Sequence, residues 1–228
     1  MNIFINFLVG PFVKWFPLVV FFAIFIPTVV FYFKKIELDD IKFLKRIKIL
    51  IWVGILLRIF YAGLETFSQY FFWSQDKFGE LFIQIPISQS FVMKDILWKP
   101  FLWLFDRPHG YFIFYTGSRF WLNAVISLVA AGFIYIILLV LKKYKERFFE
   151  IGDPEIGLLM ALTLVWPNVI SFGLLVFIFV ILVSIFKTIF LKETYTTLGM
   201  PFLLAGFLSA VLGQYLLSYL GVSSVLVL

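Results

Sequence analysis

The feature that most constrains this chain is a series of apolar stretches, each long enough to cross a lipid bilayer, separated by short basic segments. About 20 apolar residues form a helix that spans the hydrocarbon core, where no water satisfies the backbone of an irregular segment. Of the 228 residues, 63% are hydrophobic and 14% are charged, whereas soluble domains are about half apolar and about a quarter charged. The chain is therefore predicted to be an integral membrane protein without a separate soluble domain.

The apolar runs predict six spans. Pro17 and Pro27 interrupt the first span, which membrane helices tolerate because neighbouring helices satisfy the freed carbonyls. Pro167 and Asn168 separate the fourth span from the fifth and are expected to form a turn. The predicted spans cover residues 16–33, 49–64, 120–141, 155–167, 169–187 and 200–220. The sequence thus predicts an all-α, polytopic transmembrane bundle that forms one domain over residues 1–228.

Basic residues mark one side of the predicted bundle. Residues 34–48 contain six lysines or arginines, and residues 142–147 contain four. Because cytoplasmic loops are enriched in these residues, both segments are predicted to be cytoplasmic and the N-terminus to lie outside, in a bacterial inner membrane. Residues 65–119 are aromatic but broken by charges, and we interpret them as a long outer-face arm between the second and third spans.

The composition excludes several classes of function. The net charge of +6 is dispersed between apolar runs, which is typical of loop retention in the cytoplasm and does not indicate nucleic-acid binding. The chain has no cysteine and one histidine, so thiolate nucleophiles, thiolate metal sites and zinc-protease motifs are absent from its sequence. We expect no metal and no cofactor, and the sequence leaves the oligomeric state open.

Arg58 lies within the predicted second span. A buried arginine in a membrane costs at least a few kcal/mol and normally faces a wet cavity, a partner or a lipid phosphate. The alternative is that its long side chain extends along the hydrocarbon to reach a headgroup region.

A second candidate site lies at the outer end of the third span. His109 precedes the segment Gly110 to Gly117, which also contains Tyr115. A base near the interface, beside glycines that let backbone approach a ligand, would suit acyl or lipid transfer. The alternative is an exposed loop histidine without a catalytic role.

Asp153 precedes Pro154 at the start of the predicted fourth span. Aspartate followed by proline is typical of a helix N-cap with proline in the first turn. The alternative is an intramembrane aspartyl protease, in which this aspartate would share a proton with a second carboxyl group.

The motifs resemble, in order along the chain, the phosphatidylglycerol–prolipoprotein diacylglyceryl transferase family. The matching segments are Gly10-Pro11 with Lys14-Trp15, Arg58 to Tyr61, Gly110 to Gly117, and the basic turn from Lys142 to Asp153. The family's Gly-Arg-x-Gly-Asn signature has no counterpart after Asp153.

That resemblance implies transfer of a diacylglyceryl group from a membrane phospholipid to a cysteine of a lipoprotein precursor. It implies Tyr115 and His109 as catalytic residues, and it implies substrate binding by Arg58, Trp15, Gly110 and Gly117.

A rival resemblance covers the C-terminal half. Gly152 to Met160, Trp166-Pro167 and Pro201 to Gly206 are similar to the last half of type IV prepilin peptidases. This resemblance implies cleavage of leader peptides at the cytoplasmic face by an aspartyl site at Asp153. Glu150 stands where that family has glycine. A non-enzymatic membrane scaffold is the third interpretation.

Overall fold

A computed structural model describes residues 7–36, 39–87, 96–192 and 197–221. These residues are almost entirely helical, with no strand among them. The α-helices within these ranges are α1 (Val13–Phe33), α2 (Asp40–Ser74), α3 (Lys77–Gln84), α4 (Leu102–Phe105), α5 (Gly110–Thr116), α6 (Leu122–Tyr144), α7 (Asp153–Thr163), α8 (Asn168–Phe186) and α9 (Gly199–Tyr219).

Among the residues that the structure describes, five helical segments are long and apolar enough to cross a membrane, so the chain is a multi-pass membrane protein. Short π-helical turns lengthen three of them beyond the α-helices named above. The segments are Val9–Phe33, Asp40–Ser74, Gly110–Tyr144, Asn168–Phe190 and Gly199–Tyr219. The predicted count of six spans is not confirmed.

The difference lies in the predicted fourth span, residues 155–167. This region forms α7, which has 11 residues and ends at Thr163. At about 1.5 Å per residue it is roughly 16 Å long, about half of a hydrocarbon core of about 30 Å. Leu164 is already extended, with a ψ of 136°, because the chain turns toward Pro167 before α8 begins.

The predicted outer arm, residues 65–119, is also not confirmed as a separate loop. Its first part continues α2 without a break as far as Ser74, and its last part continues from α5 into the helix that contains α6. Residues 88–95 of the predicted arm lie outside the described residues.

By its contacts the chain divides into two compact units, where the sequence predicts one domain. Unit A comprises Met1–Phe16 and Ile59–Asn123, and unit B comprises Pro17–Arg58 and Ala124–Leu228.

Aromatic side chains hold unit A together. The ring of Trp73 on α2 lies 4.9 Å from that of Tyr115 and 5.7 Å from that of Phe112. Phe105 is buried against Phe114, and their rings meet edge to face at 5.6 Å. Such pairs contribute about 0.5–1.5 kcal/mol each beyond the apolar area that they bury.

The short helix α7 is the centre of unit B. Nine of its eleven residues are buried. Two glycines let neighbouring helices approach it: a Cβ on Gly157 would lie 2.5 Å from Leu138 of α6, and one on Gly206 of α9 would lie 2.9 Å from Met160. Protein therefore surrounds α7, which positions its first residue, Asp153, in the interior.

A polar cluster joins α8 and α9 in unit B. The hydroxyl groups of Ser171 and Ser209 lie 2.5 Å apart, and each is 2.7 Å from the carbonyl oxygen of Asn168. Gly213 leaves room for this cluster, since a Cβ there would lie 2.8 Å from the Ser171 oxygen.

Candidate functional site

Asp153 is buried at the start of α7, with 1% of its surface exposed. Gly152 precedes it with a φ of 92°, a left-handed conformation that favours glycine. A Cβ on Gly152 would also lie 2.3 Å from the ring of Phe43. Gly152, and not Asp153, occupies the N-cap position. This tight turn directs the Asp153 carboxyl group into unit B.

The Asp153 carboxylate connects two separate segments of the chain. Its Oδ2 accepts hydrogen bonds from the backbone N–H of Glu150 at 2.9 Å and of Leu198 at 3.2 Å. Its Oδ1 is buried without a hydrogen-bond partner among the described residues. A Cβ on Gly199 would lie 2.8 Å from Oδ1 and 2.4 Å from the ring of Tyr32, so glycine leaves open the space that Oδ1 faces.

Glu150 forms an ion pair beside Asp153. The Nζ of Lys35 lies 2.8 Å from Glu150 Oε2, and the side chains are 15% and 45% exposed, respectively. The ammonium group of Lys35 also lies 5.6 Å from the centre of the Phe43 ring, within the range of a cation–π contact.

The pKa values of the two carboxyl groups move in opposite directions. Burial raises the pKa of Asp153 to about 6, and the negative charge of Glu150 adds to this rise. The hydrogen bonds from the backbone N–H groups of Glu150 and Leu198 and the positive charge of Lys35 lower this pKa in part. Burial alone would also raise the pKa of Glu150, but the hydrogen bond and charge of Lys35, with smaller contributions from Thr197 and Lys187, hold it below its usual value.

Sequence reasoning missed Glu150 and Lys35 as site residues. From the sequence, Glu150 is only a substitution for a glycine of the peptidase family, and Lys35 is only part of the basic segment that is predicted to be cytoplasmic. A carboxyl group three residues before Asp153 was the available local signal. Lys35 is 115 residues from Glu150 in sequence, so no local pattern could have indicated their pairing.

Arg58 lies in unit B with 7% of its surface exposed. Its Nη2 donates to Ser127 Oγ at 2.6 Å, and the backbone N–H of Trp166 donates to the same oxygen at 3.1 Å. The guanidinium group is thus held inside the unit and does not extend to water. Arg58 follows Phe43 by 15 positions on α2, or roughly 22 Å of helix, so it belongs to a different level of unit B from Gly152 and Asp153.

No known family matches this chain. Models of protein families, curated proteins and solved structures were all compared with it, and none matches. Both resemblances therefore stay predictions.

His109 and Tyr115 both lie in unit A, with different contacts. His109 has a φ of 75°, and its Nδ1 donates to the carbonyl oxygen of Ile83 at 2.8 Å. The Tyr115 ring packs against Trp73 and, edge to face at 6.2 Å, against Phe120. Since Arg58 belongs to unit B, a joint site of Arg58, Tyr115 and His109 stays a prediction.

The remaining predicted substrate-binding residues are Gly110, Gly117 and Trp15, and each has a different structural environment. A Cβ on Gly110 would lie 1.8 Å from the carbonyl oxygen of Phe105, so glycine is needed there for packing within unit A. Gly117 begins a π-helical turn, and Trp15 is 58% exposed on α1. Among the described residues, no group of three acidic or histidine side chains could hold a metal ion.

Proposed function

We propose that this protein is a membrane-embedded aspartyl peptidase in which Asp153 and Glu150 are the two carboxyl groups of the site. One observation carries this proposal: the pKa of buried Asp153 is raised to about 6 while Lys35 holds the pKa of Glu150 below its usual value. Two carboxyl groups with displaced pKa values supply an acid and a base at the same pH.

The two groups take different roles in peptide hydrolysis. Glu150 is ionised at neutral pH and partly exposed, so it accepts a proton from the water that attacks the peptide carbonyl carbon. Asp153 in its protonated form donates its proton to the amine nitrogen as the C–N bond breaks. The proton on Glu150 then returns to Asp153, which restores both groups.

Access to Asp153 requires a movement at the start of α9. Asp153 is 1% exposed, and its Oδ1 faces the position of Gly199. A peptide reaches this oxygen once Leu198 and Gly199 move away, which breaks the 3.2 Å hydrogen bond from Leu198 to Oδ2. The substrate class that the peptidase resemblance implies is the leader peptide of a membrane-anchored precursor.

The test is leader-peptide cleavage by purified protein in proteoliposomes. Asp153→Asn retains an oxygen that can accept both backbone hydrogen bonds. The asparagine side chain has no carboxyl proton to donate, so this variant tests the catalytic role of Asp153 without removing those hydrogen bonds. We expect Asp153→Asn and Glu150→Gln each to reduce cleavage by at least about 100-fold. Glu146→Gln, an exposed glutamate of the same turn, is the matched control and should retain activity. Normal cleavage by Asp153→Asn would overturn the proposal.

Diacylglyceryl transfer is the second candidate function, and the buried guanidinium group of Arg58 favours it. In this alternative Arg58 binds the phosphate of phosphatidylglycerol, and Tyr115 with His109 takes the proton of the lipoprotein-precursor thiol. The sulfur then forms a C–S bond with the glyceryl carbon as the C–O bond to glycerol phosphate breaks and glycerol phosphate leaves. Transfer to a precursor cysteine in phosphatidylglycerol vesicles should fall strongly in Arg58→Gln and less in Arg58→Lys. Unchanged transfer in Arg58→Gln would reject this role.

A further inference from the structure

Residues 197–200 lead into α9 and contact both carboxyl groups of the proposed site in unit B. We call these four residues the covering segment. The backbone N–H of Leu198 donates to Asp153 Oδ2 at 3.2 Å. The hydroxyl group of Thr197 donates to the carboxylate of Glu150. One short segment of the chain therefore forms hydrogen bonds to both of the groups that the proposed reaction needs.

Tyr32 of α1 holds the covering segment from a second side. The Tyr32 hydroxyl group is hydrogen-bonded to the backbone N–H of Met200 and to the hydroxyl group of Thr197. A hydroxyl group has a single proton to donate. Since Thr197 gives its proton to Glu150, the Tyr32 hydroxyl group donates to Thr197 Oγ1 and accepts from Met200. The hydrogen bonds thus form a continuous chain from Met200 through Tyr32 and Thr197 to Glu150.

Gly199 allows the covering segment to fit closely against these groups. A Cβ on Gly199 would lie 2.8 Å from Asp153 Oδ1 and closer still to the ring of Tyr32. Gly199 itself is buried. A peptide substrate therefore cannot reach Asp153 Oδ1 while the covering segment is in this position.

The covering segment presents a peptide N–H group to Asp153 and a hydroxyl group to Glu150. The proposed reaction brings the same two kinds of group to the same places, because the peptide nitrogen faces Asp153 and the attacking water donates to Glu150. We propose that the covering segment is autoinhibitory: it occupies the places of the peptide and the water, and a substrate must displace it. This inference rests on the proposed peptidase function.

The hydrogen bonds of the covering segment determine how often the site is open. One net hydrogen bond changes the equilibrium between the closed and open positions by about fivefold. Because only the open form binds a peptide, kcat/KM is proportional to the open fraction while that fraction is small. Removing a hydrogen bond that holds the segment should therefore accelerate cleavage, whereas removing a catalytic group slows it.

The first test measures hydrogen–deuterium exchange of the backbone N–H groups of Leu198 and Met200 in the detergent-solubilised protein. Thr197→Val and Tyr32→Phe each remove a hydroxyl group and keep the shape of the side chain. We expect these N–H groups to exchange at least about fivefold faster in each variant, with exchange in α8 unchanged. Thr188→Val, an exposed threonine that bonds its own helix, is the matched control and should exchange at the wild-type rate. Unchanged exchange at both N–H groups, or an equal rise throughout α8, would overturn the proposal.

The second test measures leader-peptide cleavage by the same variants in proteoliposomes. The value of kcat/KM should rise about fivefold in Thr197→Val and stay at the wild-type value in Thr188→Val. An unchanged or lower kcat/KM in Thr197→Val, together with faster exchange, would reject the inhibitory role and leave the peptidase function standing. No cleavage by wild type or any variant, together with faster exchange, would instead refute the peptidase function and the inhibitory role with it.

Discussion

The raised pKa of Asp153 predicts a pH-dependent stability that Asp153→Asn removes. The pKa of this carboxyl group rises from an ordinary 3.8 to about 6 on folding, so the folded protein holds the proton more tightly than the unfolded chain. Protonation therefore favours folding fully below about pH 4, and this contribution is lost as the pH rises through about 6. A shift of about 2 units corresponds to about 3 kcal/mol.

The measurement is the apparent Tm of wild type and Asp153→Asn in detergent micelles between pH 4 and pH 8. In a chain of this size, 1 kcal/mol shifts Tm by about 2–4 °C. From pH 4 to pH 7 the wild type should therefore lose roughly 6–12 °C relative to the variant. The lowered pKa of Glu150 acts in the opposite direction, but Glu150 is present in both proteins and its contribution largely cancels in the difference. Glu146→Gln should show no such difference from wild type. A constant difference between wild type and Asp153→Asn across this pH range would refute the burial argument.

Further substitutions test the packing and the hydrogen bonds. Gly213→Ala should destabilise the folded protein by about 1–3 kcal/mol in thermal unfolding, because the new Cβ would lie 2.8 Å from Ser171 Oγ. Gly173→Ala is the control: a Cβ there has nothing within 4 Å, so this variant should be neutral or stabilising. Ser127→Ala removes the oxygen that accepts from Arg58 and Trp166 and should cost about 1–3 kcal/mol in the same assay. His109→Ala should lower Tm more than His109→Gly, because the φ of 75° strains alanine but not glycine. An equal Tm for the two His109 variants would contradict this last expectation.

The sequence was most informative where local composition decides the structure. Apolar runs predicted the long helices, and Pro17 and Pro27 lie within α1 as expected. Pro167 correctly predicted a break before α8, but hydropathy could not distinguish a half-length buried helix from a span. A buried half-length helix and a membrane span both have apolar sequences, and they differ only in what surrounds them in the folded protein.

The candidate site depends on contacts between distant parts of the chain. Asp153 is a candidate from sequence because it precedes Pro154 at the start of the predicted fourth span and resembles the aspartate of an intramembrane aspartyl protease. Its bond to Leu198 joins residues 45 positions apart, and the bond from Arg58 to Ser127 joins residues 69 apart. Such pairings arise from how the helices of unit B pack, and no spacing rule in a single sequence predicts them.

The position of α7 also constrains how the protein is made. A segment of 11 residues is too short to be released into the bilayer as an independent helix during synthesis. Its buried surface is completed partly by α9, whose first residue is synthesised 46 residues after Asp153. Until α9 emerges from the ribosome, α7 lacks part of its final packing and the carboxylate lacks the Leu198 N–H group. A chain truncated before Gly199 should therefore leave this segment open to proteases during biogenesis.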